Sequence, residues 1–209
     1  MPSDHAPQEP QGEEGEPKCL AGYFLVSDID LRDPNFYRSV VLMVSHDDNG
    51  ALGLVVNRPS PLSLGEMVEG IGKGPAASVP VFVGGPVQQE ILFCLHGEFD
   101  GCPADEDALF PIDGVCFEPL TRQIVSYLAE DWGSQPEDSR ARVRLYAGYS
   151  GWGPGQLEGE LAAGAWLVVK ATPEITFHPE PAQGWADAFA RKGPLSRIIL
   201  QTGFKPSMN

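Results

Sequence analysis

Cys94 and His96 are two residues apart in the apolar segment ILFCLH, residues 91–96. Residues at this spacing share a face of an extended strand, so a thiol and an imidazole would lie side by side. Such a pair could form part of a reactive-thiol site or a metal site. A metal would need two more ligands, for which Cys102, His46 and His178 are candidates, but the spacing does not require them. We therefore expect no metal, and a core cysteine beside a hydrogen-bonded histidine.

A second candidate is the glycine-rich segment GYSGWGPGQLEGEL, residues 148–161. It precedes a short predicted helix, and helix N-termini attract anions, so the corner 148–156 could bind an anion or a small ligand. The segment lacks the lysine of a phosphate-binding loop, and Glu158 and Glu160 would already occupy the positive end of the helix. Ser150 does not form a nucleophile elbow, because Trp152 stands where that motif needs glycine. We expect a structural turn and no catalytic residues.

Polar residues at predicted turns and strand ends form the candidate ligand-binding set, because binding sites concentrate at such positions. The alternative is that they cap and hydrogen-bond their own loops. The set consists of Arg32, Asn35, Asn57, Arg58, Gly151, Trp152 and Gln156.

The charge of the chain restricts its partners. It carries 29 acidic and 14 basic side chains, a net charge of -15, which repels nucleic acids. Arg140, Arg142 and Arg144 alternate along a predicted strand and would share a face, where we expect a solvated edge or pairs with carboxylates. Direct nucleic-acid binding is therefore not expected, and a protein partner is.

The location and the redox state follow from what the sequence lacks. No apolar run reaches the length of about 18 residues that spans a bilayer, and no signal peptide opens the chain, so we expect a cytoplasmic protein without membrane contact. Cysteines 19, 94, 102 and 116 include no CxxC pair and should stay reduced. No cofactor is predicted.

The pattern of apolar residues predicts short strands with interspersed helices. Residues 1–18 are acidic and proline-rich and should be a disordered extension, followed by a single domain at 19–209. The spacings are too short for regular βαβ crossovers, which favours an α+β fold with a mainly antiparallel sheet or partly closed barrel and short flanking helices. The predicted strands are 20–27, 39–45, 51–57, 81–83, 91–96, 115–117, 143–147 and 165–169. The predicted helices are 62–68, 120–132, 156–161, 185–192 and 195–200.

Three local details go with these elements. The segment HDDNG at 46–50 should close a β-hairpin between 39–45 and 51–57, and Ser63 with Glu66 should form a capping box. Gly84-Gly85-Pro86 should turn strand 81–83 into an antiparallel pair with 91–96. The glycines after 143–147 should turn that strand sharply into the next helix.

Several segments together resemble the YqgE/AlgH family of bacterial proteins. They are RDPNF at 32–36, ALGLVVNRP at 51–59, GGPV at 84–87, LH at 95–96 and GYSGWGPGQLEGEL at 148–161 followed by AWLVV. Members usually read GYAGW where this chain has Ser150. The resemblance covers about residues 20–202 and implies a single α+β domain, a transcriptional-regulator label for some members and no established catalytic residues.

The function expected from these observations is that of a non-enzymatic regulatory or protein-binding module. Two alternatives stay open: a DNA-binding regulator, which rests on the family label alone, and a small-molecule or anion binder that uses the corner 148–156.

Overall fold

The computed structural model describes residue 17, residues 19–69 and residues 71–205. Nearly all of the predicted disordered extension, 1–18, therefore lies outside the described residues. The strands of the described part are β1 (Tyr23–Ser27), β2 (Val40–Asp47), β3 (Gly50–Val55), β4 (Pro59–Ser63), β5 (Pro80–Val83), β6 (Val87–His96), β7 (Leu109–Ile112), β8 (Val115–Pro119), β9 (Val143–Trp152) and β10 (Trp166–Lys170). Its α-helices are α1 (Leu64–Met67), α2 (Arg122–Glu130), α3 (Gln156–Ala162), α4 (Pro173–Thr176), α5 (Pro181–Ala190) and α6 (Pro194–Thr202).

The described strands form a single sheet in the order β10-β1-β2-β3-β9-β6-β8-β7, with β4 and β5 attached beside β9. All of its strand pairs are antiparallel except β5 with β9, which is parallel. The sheet does not close on itself. The predicted α+β class with a mainly antiparallel sheet is confirmed, and the sheet is open.

The local signals were the most accurate part of the prediction. β2 and β3 form the expected hairpin, in which Asp47 pairs with Gly50 across a two-residue turn, so both strands extend further into HDDNG than predicted. The capping box also forms, because Glu66 Oε2 accepts hydrogen bonds from the backbone N–H and the hydroxyl of Ser63, each at 2.8 Å. The strands β4 and β7 and the helix α4 were not predicted.

The region around the two glycine motifs differs from the prediction. β5 and β6 do not pair with each other, because β9 lies between them: Phe82 and Phe93 both pair with Tyr146. Instead of turning sharply after residue 147, β9 continues to Trp152. The physical reason is a backbone crossing, in which the chain passes at Gly84–Gly85 over β9 to reach its other side.

Three buried apolar clusters stabilise the sheet. One face packs against α4, α5 and α6 through residues such as Trp185, Phe189 and Ile199. A second cluster lies between α2 and the β5–β9–β6 region. The third lies under α3 and joins Trp152, Leu157 and other residues to Trp166. None of the described helices has the length and hydropathy that crossing a bilayer requires.

Because two backbones are in close contact at the crossing, one added methyl group at Gly85 should lower the stability of the fold strongly. A Cβ at Gly85 would overlap the backbone carbonyl of Tyr149, and neither backbone can move without breaking strand pairs. We expect Gly85→Ala to lower the free energy of unfolding by about 1–3 kcal/mol or more, the usual cost of overpacking. Urea denaturation followed by circular dichroism measures this loss.

The matched control is Gly159→Ala in α3, where a Cβ would meet no atom within 4 Å. Alanine in a helix interior should raise stability by about 0.5–1 kcal/mol. Equal stability of the Gly85→Ala variant and the unsubstituted chain would show that the crossing is not tight.

Candidate functional site

Four chemically active side chains meet on one face of the sheet where β6 lies beside β8. In the register of these strands His96 is opposite Cys116, and Cys94 is opposite Glu118. Alternate residues of a strand share a face, so the four side chains form a compact square. His96 and Glu118 are only 2% and 3% exposed, which is unusual for ionisable groups.

The contacts within this cluster are directional, and all but one of them are short. His96 Nε2 lies 2.8 Å from Glu118 Oε1, and His96 Nδ1 lies 2.5 Å from the carbonyl oxygen of Gly97. The backbone N–H of Asp105 donates to Glu118 Oε2 at 2.9 Å, and the Cys116 thiol donates to Glu118 Oε1 at 3.8 Å. The His96 ring stacks on Phe99 with centroids 3.9 Å apart. The carboxylate and the imidazole are therefore held in fixed orientations.

A cavity of about 350 Å³ lies beside the cluster. Its lining residues come from β6, from β8 and from the loop that joins β6 to β7, with Phe110 of β7 completing the wall. They include His96, Cys102, Cys116 and the exposed ring of Phe110. A water molecule or a small ligand could therefore reach His96 and Cys116 from this side.

The thiols in this region are poor nucleophiles. Burial, and next the negative charge of Glu118, raise the pKa of Cys116 to about 12. Burial and the same carboxylate also raise the pKa of Cys102, and they raise that of Cys94 well above its ordinary value. These thiols are therefore protonated at neutral pH, whereas the thiolate is the reactive form.

Half of this cluster could be predicted from the sequence. The spacing of Cys94 and His96 put them on one face, and Cys94 lies in a buried apolar cluster as expected for a core cysteine. Cys116 and Glu118 were not predicted as part of the cluster, although they have the same i, i+2 spacing in β8. Of the ligands considered from elsewhere, Cys102 lines the cavity. His46 and His178 instead pair with Glu158 and Asp187.

The predicted ligand-binding residues Asn57 and Arg58 hold the loop between β1 and β2. Asn57 Oδ1 accepts from the N–H of Val40 at 2.8 Å, and its Nδ2 donates to the carbonyl of Arg38 at 2.9 Å. Arg58 Nη1 donates to the carbonyl of Asn35 at 2.6 Å. Within the described contacts these residues therefore act as loop braces, while Arg32 is exposed to solvent.

Two further predicted residues, Trp152 and Gln156, bind a single carboxylate. Glu160 accepts hydrogen bonds from the indole N–H groups of Trp152 and Trp166, at 3.0 and 2.8 Å, and from the side-chain amide of Gln156 at 3.1 Å. Phe36 packs on both tryptophans and so links this cluster to the Asn35 loop. Gly151 and Trp152 also line a groove of about 450 Å³ beside the β2–β3 hairpin.

The glycine-rich corner uses its own groups to satisfy the start of α3. The N–H of Gly153 donates to Gln156 Oε1 at 3.2 Å. The pKa of Glu158 is lowered mainly by a hydrogen bond from the backbone N–H of Glu158 itself. The hydrogen bond with His46 lowers it further. The Glu158 carboxylate therefore occupies the position that an external anion would take. Ser150 is fully buried and donates to the carbonyl of Gly84 at 3.2 Å.

The arginine triplet does not form the solvated or carboxylate-paired face that the sequence predicted. Arg144 is buried and donates to the backbone carbonyls of Val56 and Thr176, at 3.1 and 2.8 Å, and to that of His178. Arg140 donates to the carbonyls of residues 133 and 135 and packs over Trp132. Arg142 is exposed as expected. The prediction was wrong for Arg144, because strand alternation shows which residues share a face but not which layer covers it.

Comparisons with known proteins point to one group. A family model described as AlgH-like (DUF179) matches residues 24–196. A UPF0301 protein of Myxococcus xanthus is 39% identical over 171 residues, covering 80% of this chain and 88% of the relative. A UPF0301 protein of Streptomyces avermitilis is 34% identical and covers 93% and 97% of the two chains. The solution structure of the AlgH protein from Pseudomonas aeruginosa superposes with a TM-score of 0.68 at 32% identity, over 94% of this chain and all of that one.

Burial predicts how the four thiols react. Cys19 is exposed, whereas Cys94, Cys102 and Cys116 are buried. We expect one thiol of the native protein to react rapidly with Ellman's reagent and the other three only after unfolding in urea, since the thiolate must form and be accessible. Cys19→Ser should abolish the rapid phase. A rapid phase of two or more thiols would contradict the enclosed cluster.

The brace formed by Asn57 predicts a loss of stability on truncation. Asn57→Ala removes the partners of the Val40 N–H and the Arg38 carbonyl, which should cost about 1–3 kcal/mol in urea denaturation. Arg32→Ala is the control and should change stability by less than about 0.5 kcal/mol, because this side chain is exposed. Equal effects of the two substitutions would refute the brace.

Proposed function

The chain belongs to the AlgH-like (DUF179) family, and on that premise we propose that it is a non-enzymatic regulatory module that acts by binding another protein. The proposal rests mainly on an apolar surface that the fold leaves open to solvent at its C-terminal helix. Leu195 and Ile198 lie three residues apart on α6, and Phe204 follows the end of the helix; these three residues are called the α6 surface, and they are 49%, 52% and 67% exposed. Exposed large apolar side chains that gather in one place mark interaction surfaces.

The α6 surface is presented by a fixed piece of chain. Ser196 and Ile199 on the opposite face of α6 are buried, so the helix is docked on the body of the protein. After Gly203 ends the helix, Lys205 Nζ bonds Asp28 Oδ1 at 2.8 Å. The hydrogen bond to this buried carboxylate raises the pKa of Lys205. The Phe204 ring is therefore exposed between two anchored positions, and it would lose little conformational freedom when a partner covers it.

Ser150 and Arg144, which could serve chemistry or nucleic-acid binding, are engaged inside the protein. The Ser150 hydroxyl bonds the Gly84 carbonyl, and Arg144 bonds three backbone carbonyls. The net charge of -15 also disfavours direct contact with DNA. These observations support a regulatory role through protein contact over the DNA-binding alternative.

The experiment is a comparison of captured partners. The unsubstituted chain and the variant Leu195→Glu/Ile198→Glu are immobilised and exposed to a lysate of the source cells. We expect a protein that the unsubstituted chain retains and the variant loses, because two carboxylates cannot enter an apolar interface without a large desolvation cost. With that partner purified, Ile198→Ala should weaken binding by about 30-fold, equivalent to about 2 kcal/mol, as for a central interface residue.

Leu62→Glu is the matched control, since Leu62 is 41% exposed on β4 and lies outside the α6 surface. It adds a carboxylate of the same kind, one instead of two, and should leave capture unchanged. All variants are first checked for an unchanged melting temperature. Equal capture by the α6 variant and the unsubstituted chain, or capture of nothing above background, would count against the proposal.

A further inference from the structure

Three histidines of the described residues have Nε2 beside a carboxylate. They differ in what the other ring nitrogen, Nδ1, contacts. The N–H of Leu20 donates to Nδ1 of His46, and the N–H of Glu180 donates to Nδ1 of His178. In these two rings Nδ1 is the acceptor, so Nε2 carries the proton and donates it to the carboxylate. In both surface pairs, each ring nitrogen therefore has a hydrogen-bond partner when the imidazole is neutral.

His96 has the opposite arrangement. Its Nδ1 faces the carbonyl of Gly97, which can only accept, so Nδ1 carries the proton. In the neutral ring Nε2 then presents a lone pair to Glu118 Oε1, 2.8 Å away. Two acceptors at this distance, both buried, require a hydrogen atom or a metal ion that binds both. That species is a second ring proton, the proton of a neutral Glu118 carboxyl group, or a metal ion.

The surroundings of the pair match those of metal ligands. A histidine that binds a metal usually donates its other N–H to a backbone carbonyl or a carboxylate, which fixes the ring. Gly97 supplies this carbonyl, and the Phe99 ring stacks on the imidazole. The N–H of Asp105 holds Glu118 Oε2 and leaves Oε1 directed at His96. Both ligand groups are thus held from behind.

Cys116 supplies a third ligand atom and the cavity a place for a fourth. Its sulfur, one imidazole nitrogen and one carboxylate oxygen all lie within 4.8 Å of one another. Zinc bonds of about 2.0–2.3 Å in a tetrahedral site place ligand atoms roughly 3–4 Å apart, so a small contraction would suffice. The cavity beside them is lined by the Cys102 thiol and has room for water.

We propose that His96 Nε2, Cys116 Sγ and Glu118 Oε1 bind one zinc ion whose fourth position faces this cavity. Zinc fits the mixture of one imidazole, one thiolate and one carboxylate, whereas magnesium and calcium prefer sites made of oxygen alone. When zinc binds, the Cys116 thiol loses its proton to solvent and the sulfur binds as thiolate, and His96 binds as neutral imidazole. Three ligands with one open position would also allow a small anionic ligand to bind the metal.

The test is a titration of the reduced full-length chain with zinc alone, in competition with a chromophoric chelator, and with cobalt as a spectroscopic substitute. We expect one high-affinity equivalent and a thiolate-to-cobalt charge-transfer band. Cys116→Ser should remove this band. Cys116→Ser and Glu118→Gln should each weaken zinc binding by at least the roughly 10–100-fold that loss of an outer-shell partner causes.

The matched control is the double variant His46→Gln/His178→Gln, which removes the two surface histidine–carboxylate pairs and should bind zinc like the unsubstituted chain. Metal-free variants are checked by thermal melting before titration. If Cys116→Ser or Glu118→Gln does not fold, X-ray absorption at the zinc edge of the zinc-bound, unsubstituted protein identifies the ligands instead. We expect one sulfur neighbour beside nitrogen and oxygen neighbours.

Three results would overturn the proposal. They are no zinc binding by the unsubstituted chain, binding that the His46/His178 variant loses while Cys116→Ser keeps it, and a zinc spectrum without sulfur. In the first case a proton lies between His96 Nε2 and Glu118 Oε1 instead of a metal ion, and nitrogen-15 NMR of the His96 ring would show which of the two groups carries it.

Discussion

The arrangement of the sheet depends on the backbone crossing at Gly84–Gly85 and Gly148–Ser150. β9 has β3 and β5 on one side and β6 on the other, so the chain must change sides of β9 directly after β5. The Gly84 N–H bonds the Ala147 carbonyl, and the Ser150 hydroxyl bonds the Gly84 carbonyl. The crossing therefore fixes the position of β6, which carries Cys94 and His96.

This crossing could not be predicted from the sequence, whereas several local features could. The hairpin and the capping box depend on residues a few positions apart, and both were predicted correctly. The parallel pairing of Phe82 with Tyr146 joins segments that are far apart in the chain, and local propensity contains no information about it. The glycines in GGP and GYSGW were interpreted as turns, whereas Gly85 and Gly148 serve the close approach of two backbones.

The candidate site, too, could be predicted from the sequence only in part. The alternation of Cys94 and His96 could be deduced, and so could that of Cys116 and Glu118, but their meeting depends on the register of β6 with β8. Asn57 and Arg58 were correctly identified as polar residues at a strand end. That they brace a neighbouring loop depends on backbone carbonyls and N–H groups, which are the same in every sequence.

The two buried charged groups of the sheet are stabilised in different ways. Arg144 is surrounded by carbonyl oxygens and by the faces of Phe82 and Phe177, so backbone dipoles and aromatic rings balance its charge without a carboxylate. Glu118 accepts one backbone N–H, and its other oxygen faces His96 and the Cys116 thiol. A carboxylate buried in this way is costly unless a positive charge accompanies it. Arg144 is therefore complete as a structural element, whereas the carboxylate of Glu118 would be balanced by the zinc ion that we propose, and the adjacent cavity gives that ion a route from solvent.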